Sequence, residues 1–184
     1  MATRLPIFYP RETLELFLAT LAVFLVFVGV YFPKSPQDWL VLFFLSFIIY
    51  VPHELAHKFV AQHFGFPARY FINPMFFLLT IFSASPYIPI KFIAPGAVYI
   101  HAPMIDRKTN GIISIVGPVT NIFLGLVALI AGGPRGIYIA RLSGWIAFFN
   151  LLPIGPLDGG KVLRWNVFLW LVSIVVSLWM GFFV

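Results

Sequence analysis

The chain has 184 residues and a net charge of +6, is 61% hydrophobic and only 10% charged, where a soluble domain carries roughly 25% charged residues. Twelve Lys/Arg and six Asp/Glu cannot cover a globule of this size, so lipid must be the solvent for most of its surface. That excludes a cytosolic enzyme, a disordered tail and a nucleic-acid module, for which the basic residues form no run; with no cysteine, disulfides are excluded and a transition metal can be held only by His and carboxylate.

In chain order, residues 16–32 form the first apolar stretch, behind Arg4 and Arg11. It is long for a signal peptide and ends without a small-residue cleavage site, so it predicts a retained transmembrane helix of ~20 residues. The second helix starts at Trp39, carries no charge over 39–52, and runs to Phe64 before Gly65. Residues 66–100 are apolar but broken by Pro67, Pro74, Pro86, Pro89 and Pro95, and 97–100 is strand-like. Residues 101–110 read as a polar loop. Three further spans are predicted at 112–131, 137–152 and 165–184, the first two separated by Gly132-Gly133-Pro134. The expected fold class is an all-α polytopic membrane protein of about five transmembrane helices, with a membrane-associated β-structured segment at 66–100. The whole chain, 1–184, reads as one transmembrane domain.

The second helix carries His53-Glu54-Leu55-Ala56-His57. Four residues apart, His53 and His57 share a helix face and can hold one Zn²⁺ at ~2.0–2.1 Å each. Glu54 lies beside them as a possible base for the attacking water. His53 falls ~21 Å along from Trp39 in a hydrocarbon core ~30 Å thick, nearer the exit face. Ionisable groups at that depth cost at least ~2.5–3.5 kcal/mol each for the charged types and mark functional sites. A catalytic zinc needs a third protein ligand. Of the three aspartates, Asp38 lies at the opposite face and Asp106 in the polar loop, whereas Asp158 stands in Leu157-Asp158-Gly159-Gly160 just after a span. The alternative role for Asp158 is the N-cap of the last helix. His63 projects from another face than His57, and His101 neighbours the polar loop, so both read as interfacial.

His53-Glu-Leu-Ala-His57 on an apolar helix, Gly117-Pro118 in a later one, and Asn150-Leu-Leu-Pro153-Ile-Gly-Pro156-Leu-Asp158-Gly159-Gly160 resemble the site-2 protease family of intramembrane zinc metalloproteases. The resemblance covers about residues 39–164, the expected catalytic core. It implies one zinc per chain held by His53, His57 and Asp158, Glu54 as catalytic acid/base, and Asn150 as a substrate- or oxyanion-binding residue. It also implies that a β-structure after the HExxH helix presents the substrate as an extended strand. The PDZ or CBS domains of many members have no counterpart in this sequence.

Depth sets the topology independently. His53 comes fourteen residues after Trp39, and Asn150 thirteen after Ile137. If both helices enter from one face the two side chains reach the same depth. That requires an even number of crossings from the end of the first helix to the end of the second, and the spans at 112–131 and 137–152 already supply two. Residues 66–100 therefore should dip in and return. This count puts Arg4, Arg11, Arg69, Lys91, Arg107, Lys108, Lys161 and Arg164 on one side, leaves Lys34, Arg135 and Arg141 for the other, and places Lys58 near the inner boundary. The asymmetry favours a cytoplasmic N-terminus and a site near the cytoplasmic face. The expected partners are the lipid bilayer and a transmembrane-helix protein substrate. A metal transporter or sensor on the same ligands, and a non-catalytic membrane scaffold, are the rival readings; neither needs Glu54 or Asn150.

Overall fold

The computed structural model describes residues 5–184; Arg4, one of the charges counted above, lies outside them. Seven helices and two strands follow in the order α1 (Glu12–Tyr31), α2 (Pro36–His63), β1 (Ala68–Ile72), α3 (Pro74–Ser83), β2 (Gly96–Ile100), α4 (Arg107–Ala131), α5 (Gly133–Asn150), α6 (Asp158–Trp165) and α7 (Val167–Phe182). Three of them, α1, α2 and α4, are long and apolar enough to cross a membrane. The last two expected spans are shorter or more polar. The 18-residue α5 carries Arg135 and Arg141, and α7 has 16 residues.

Start signals explain the boundaries. Ser35 caps α2 in a reciprocal box with Asp38, whose carboxylate accepts the Ser35 N–H, and Pro36 occupies the first turn where its missing N–H costs nothing. The supposed loop at 101–110 is half helix: Asp106 accepts the Lys108 and Thr109 N–H groups at 2.9 and 3.0 Å and starts α4 five residues before its apolar run. The expected span at 165–184 starts two residues later, at Val167: Asn166 leaves helical geometry, separates α6 from α7 and caps α7 through the Leu169 N–H. Segment 66–100 is β-structured only at its ends. Asn73 caps a ten-residue apolar helix between the strands, the piece that strand-like patterning did not show.

β1 and β2 pair antiparallel, Ala68 opposite Ile100 and Ile72 opposite Gly96. The flanking bonds Asn73 N–H to Pro95 and His101 N–H to Pro67 fix the phase. Alternate pairs exchange hydrogen bonds in such a ladder. Arg69, Phe71, Ala97 and Tyr99 therefore face across it, while the backbone groups of Tyr70, Ile72, Gly96, Val98 and Ile100 face outward. α1, α2, α5 and β1 bury one apolar core of Leu16, Val23, Phe27, Leu45, Ile49, Tyr70 and Ile146, among others. Inside it the Tyr50 and Tyr70 hydroxyls bond each other at 2.8 Å. α4 packs on α2, α5 and α6, and brings the two halves of the HExxH-to-Asp158 constellation together.

The hydrogen bonds from Thr109 and Lys108 hold the Asp106 carboxyl below its ordinary range. A depressed carboxyl stabilises the fold above its unfolded value, about 3.9, and that stabilisation is lost as pH falls toward the folded value. Asp106→Ala is therefore expected to melt lower than the parent at pH 7 in detergent. The gap should close as pH falls through the carboxyl's depressed range, and a pH-independent gap would show that the charge is not what caps α4.

Candidate metal centre

The centre forms where α2, α4 and the start of α6 meet. His53, Glu54 and His57 lie on one stretch of α2 and are buried. Asp158 is the first residue of α6; Leu157 is its N-cap and makes no side-chain cap, so Asp158 does not serve that helix as a capping residue. Asp158 instead turns its Oδ2 toward the histidines, 3.1 Å from His57 Nε2 and 3.8 Å from His53 Nε2, while the two Nε2 atoms stand 3.2 Å apart. A tetrahedral ion with bonds of ~2.0–2.1 Å places its donors about 3.3 Å from one another. The triangle has the size zinc requires.

The other ring nitrogens show that these atoms present lone pairs. His57 Nδ1 donates to the Ile113 carbonyl at 2.6 Å, which leaves Nε2 unprotonated in the neutral ring. His53 Nδ1 stands 3.1 Å from Asn121 Nδ2, and Asn121 Oδ1 is buried without a partner. Turning this amide by 180° places Oδ1 as the acceptor of the His53 Nδ1–H; amide orientation is a hydrogen-bond assignment of this kind. Both Nε2 lone pairs then converge with a carboxylate oxygen, an arrangement that repels itself unless a cation lies among the three. The fit is supported by Gly117 on α4, where a Cβ would collide with both Nε2 atoms.

Two prolines shape the walls. Pro52 in α2 and Pro118 in α4 cannot donate to the carbonyls of Ile48 and Ser114, one turn back. Ser114 lines the cavity over the metal cluster, with Glu54, Val98, Asn150, Pro156 and Lys161. On the third side, Gly159 sits against the Leu151 carbonyl, which Trp170 holds through its indole N–H at 2.8 Å. This contact orients the Asp158 turn.

The structure thus brings together all five residues picked from sequence: His53, His57 and Asp158 in the cluster, Glu54 and Asn150 in the wall. Asn150 donates one N–H to its own helix, at Ile146, 3.0 Å away. His63 and His101 lie outside, each edge-on to an aromatic neighbour. Sequence reasoning missed Asn121 and Lys161. Asn121 had a signal, an amide in an apolar span one turn after Gly117 and hence on the same face. Lys161, 3.4 Å from Asp158 Oδ1, had the same i, i+3 signal.

Comparison with known proteins agrees with this chemistry. The chain is 33% identical over 183 residues to "Putative zinc metalloprotease MJ0611" of Methanocaldococcus jannaschii, covering 90% of each. It is 27% identical to "Zinc metalloprotease MJ0392" of the same organism, over 82% of this chain and 41% of that longer protein. It is also 27% identical to "Putative zinc metalloprotease YwhC" of Bacillus subtilis, over 73% of this chain and 71% of that one. No family profile and no solved structure matches. The chain belongs to a family of zinc metalloproteases. Its His53/His57/Asp158 group is close enough to hold the metal after which that family is named.

Gly117→Val is expected to abolish zinc binding, because its side chain fills the space the Nε2 atoms occupy. Asn121→Leu is expected to weaken zinc about 10- to 100-fold, the usual effect of losing the group that orients a ligating imidazole. Chelator competition in detergent measures both, and parent-like affinity in both would refute the ligand geometry.

Proposed function

We propose that this protein is an intramembrane zinc endopeptidase of the site-2 protease type, cutting transmembrane segments of protein substrates. The observation that carries the reading is the shared cavity: the metal cluster, Glu54, Asn150 and the outward edge of β2 all line it.

His53, His57 and Asp158 would hold the metal, leaving one side open to the cavity. Zinc bound there supplies Lewis acidity toward a water and the scissile carbonyl. Glu54 takes the water's proton and delivers it to the departing amine. Asn150 has a second amide N–H to offer the carbonyl oxygen as charge develops on it. Asn121 and the Ile113 carbonyl keep the imidazoles oriented, and Lys161 occupies the Asp158 oxygen that the cluster does not use.

The cavity, about 100 Å³, has room for a few waters. A helix keeps its peptide groups in i→i−4 hydrogen bonds, wrapped by its own side chains. A helical substrate must therefore unwind before its peptide bond reaches Glu54. The outward N–H and C=O groups of Gly96, Val98 and Ile100 take no partner among the described residues, and an unwound segment can add to them as a further strand.

The same reading accounts for the membrane arrangement. α1, α2 and α4 cross, and α5 and α7 complete five spans. His53 and Asn150 each stand seventeen residues into their helices, ~26 Å along. Equal depth in a shared cavity supports entry from one face, a non-crossing 66–100 segment and a cytoplasmic N-terminus.

Glu54→Gln tests the chemistry. The variant is expected to keep its zinc and fold while cleavage of a membrane-spanning substrate in detergent falls by at least ~10²–10⁴-fold. Parent-like cleavage by the zinc-loaded variant would falsify the mechanism. Single cysteines, Phe71→Cys and Lys108→Cys, test the topology in this cysteine-free chain. Both are expected to label from the same side of sealed vesicles, and labelling from opposite sides would mean that 66–100 crosses.

A further inference from the structure

The first turn of α1 does something the protease reading does not use. Glu12 and Glu15 stand one turn apart and face the outer edge of β1. Glu12 Oε1 accepts the Tyr70 N–H at 2.8 Å, and Glu15 Oε2 accepts the Ile72 N–H at 3.0 Å. These are two of the three outward N–H groups of β1, so the carboxylates replace the carbonyls of a missing neighbour strand. Glu15 Oε1 is also bridged to Arg69 at 2.9 Å. Glu12 goes further: its Oε2 takes the Lys58 ammonium at 2.6 Å, with both side chains fully buried. Lys58 follows His57 directly on α2, and it also bonds the Ile7 carbonyl. One carboxylate thus spans from the turn that carries the metal cluster to the strand that carries β2.

We infer that Glu12, aided by Glu15, is a positioning residue: it closes the outer edge of the sheet and ties β1 to α2, so that β2 presents its free edge at one fixed offset from the metal cluster. The inference rests on the protease reading above for what β2 presents. Its geometric content does not depend on that reading. A two-stranded sheet alone is marginal, and its edges are open to pairing and slippage. A slip of one strand residue, ~3.4 Å, brings a different peptide bond to the cluster. A tie from Lys58 to Tyr70 prevents it.

The test uses Glu12→Leu/Lys58→Met, which removes both buried charges together and so avoids stranding one of them, along with Glu15→Leu, which leaves the buried pair intact. Nitroxides on Phe59→Cys in α2 and Tyr99→Cys in β2, both exposed, report the distance from sheet to helix in full-length protein. In the parent background a single narrow distance is expected. In the double variant the distribution should broaden or split, and in Glu15→Leu it should do so to a smaller degree. Zinc should stay at one per chain throughout. With a membrane-spanning substrate, the parent should cut at one bond. The double variant should also cut neighbouring bonds, with kcat/KM down on the order of 10²-fold, the scale of an ångström-sized misplacement. A purely structural role would lower the yield of folded protein but keep one distance and one scissile bond. An unchanged narrow distance in either folded variant overturns the proposal. A parent that cuts no membrane substrate overturns the protease reading instead, and the distances then decide this inference alone.

Discussion

The convergence of two imidazoles and a carboxylate on a point a few ångström wide, among helices built for lipid, is the constraint on which the rest depends. Each group is expensive in an apolar medium, and their lone pairs repel one another. Only a cation among them makes the cluster stable. The surroundings follow from holding the donors ready for it. Gly117 yields the space a side chain would take, the Ile113 carbonyl and Asn121 fix the rings, and Trp170 holds the Leu151 carbonyl against Gly159, next to Asp158. Pro52 and Pro118 belong to the same logic. Backbone without its helical partner is tolerated at membrane depth where protein or a cavity covers it, and Ser114, whose carbonyl Pro118 leaves without its helical donor, lines the cavity that the chemistry needs.

The site was more legible in the sequence than the fold. HExxH and the Asp-Gly-Gly turn are local signals, because residue spacing on a helix directly gives a shared face. The meeting of His57 with Asp158, a hundred residues on, depends on packing that spacing alone does not describe. Asn121 shows what local pattern omits. Its role is defined by a ring on another helix, so only its presence in an apolar run marked it. Glu12 and Glu15 stand ahead of the first apolar run, and nothing nearby in sequence indicates that their partners are the amides of Tyr70 and Ile72.

The fold departs from the hydropathy reading where capping chemistry overrides apolar pattern. Asp106 pulls α4 back into the polar stretch, and Asn166 separates the polar α6 from the last apolar helix, α7. The division matters for the site. With α6 a separate short helix, Asp158 can point across at α2 while α7 continues in its own direction, which one straight helix would not allow. The helix α3 inside 66–100 was hidden for another reason. Short apolar runs bounded by prolines read equally as strand or helix, and here the Asn73 cap decides.

The order of these parts along the chain bears on how such a protein is made. His53 and His57 emerge early, on the second helix, and Asp158 follows only after three further helices. Until the last third of the chain has been inserted and packed, a nascent polypeptide has two of three metal donors and no wall from α5 or α6. A ribosome stalled part-way, or a chain broken in the α4–α5 region, therefore releases a fragment without a complete cutting site. The chain order makes the metal site wait for its own completed enclosure, so no partial chain carries the full donor set.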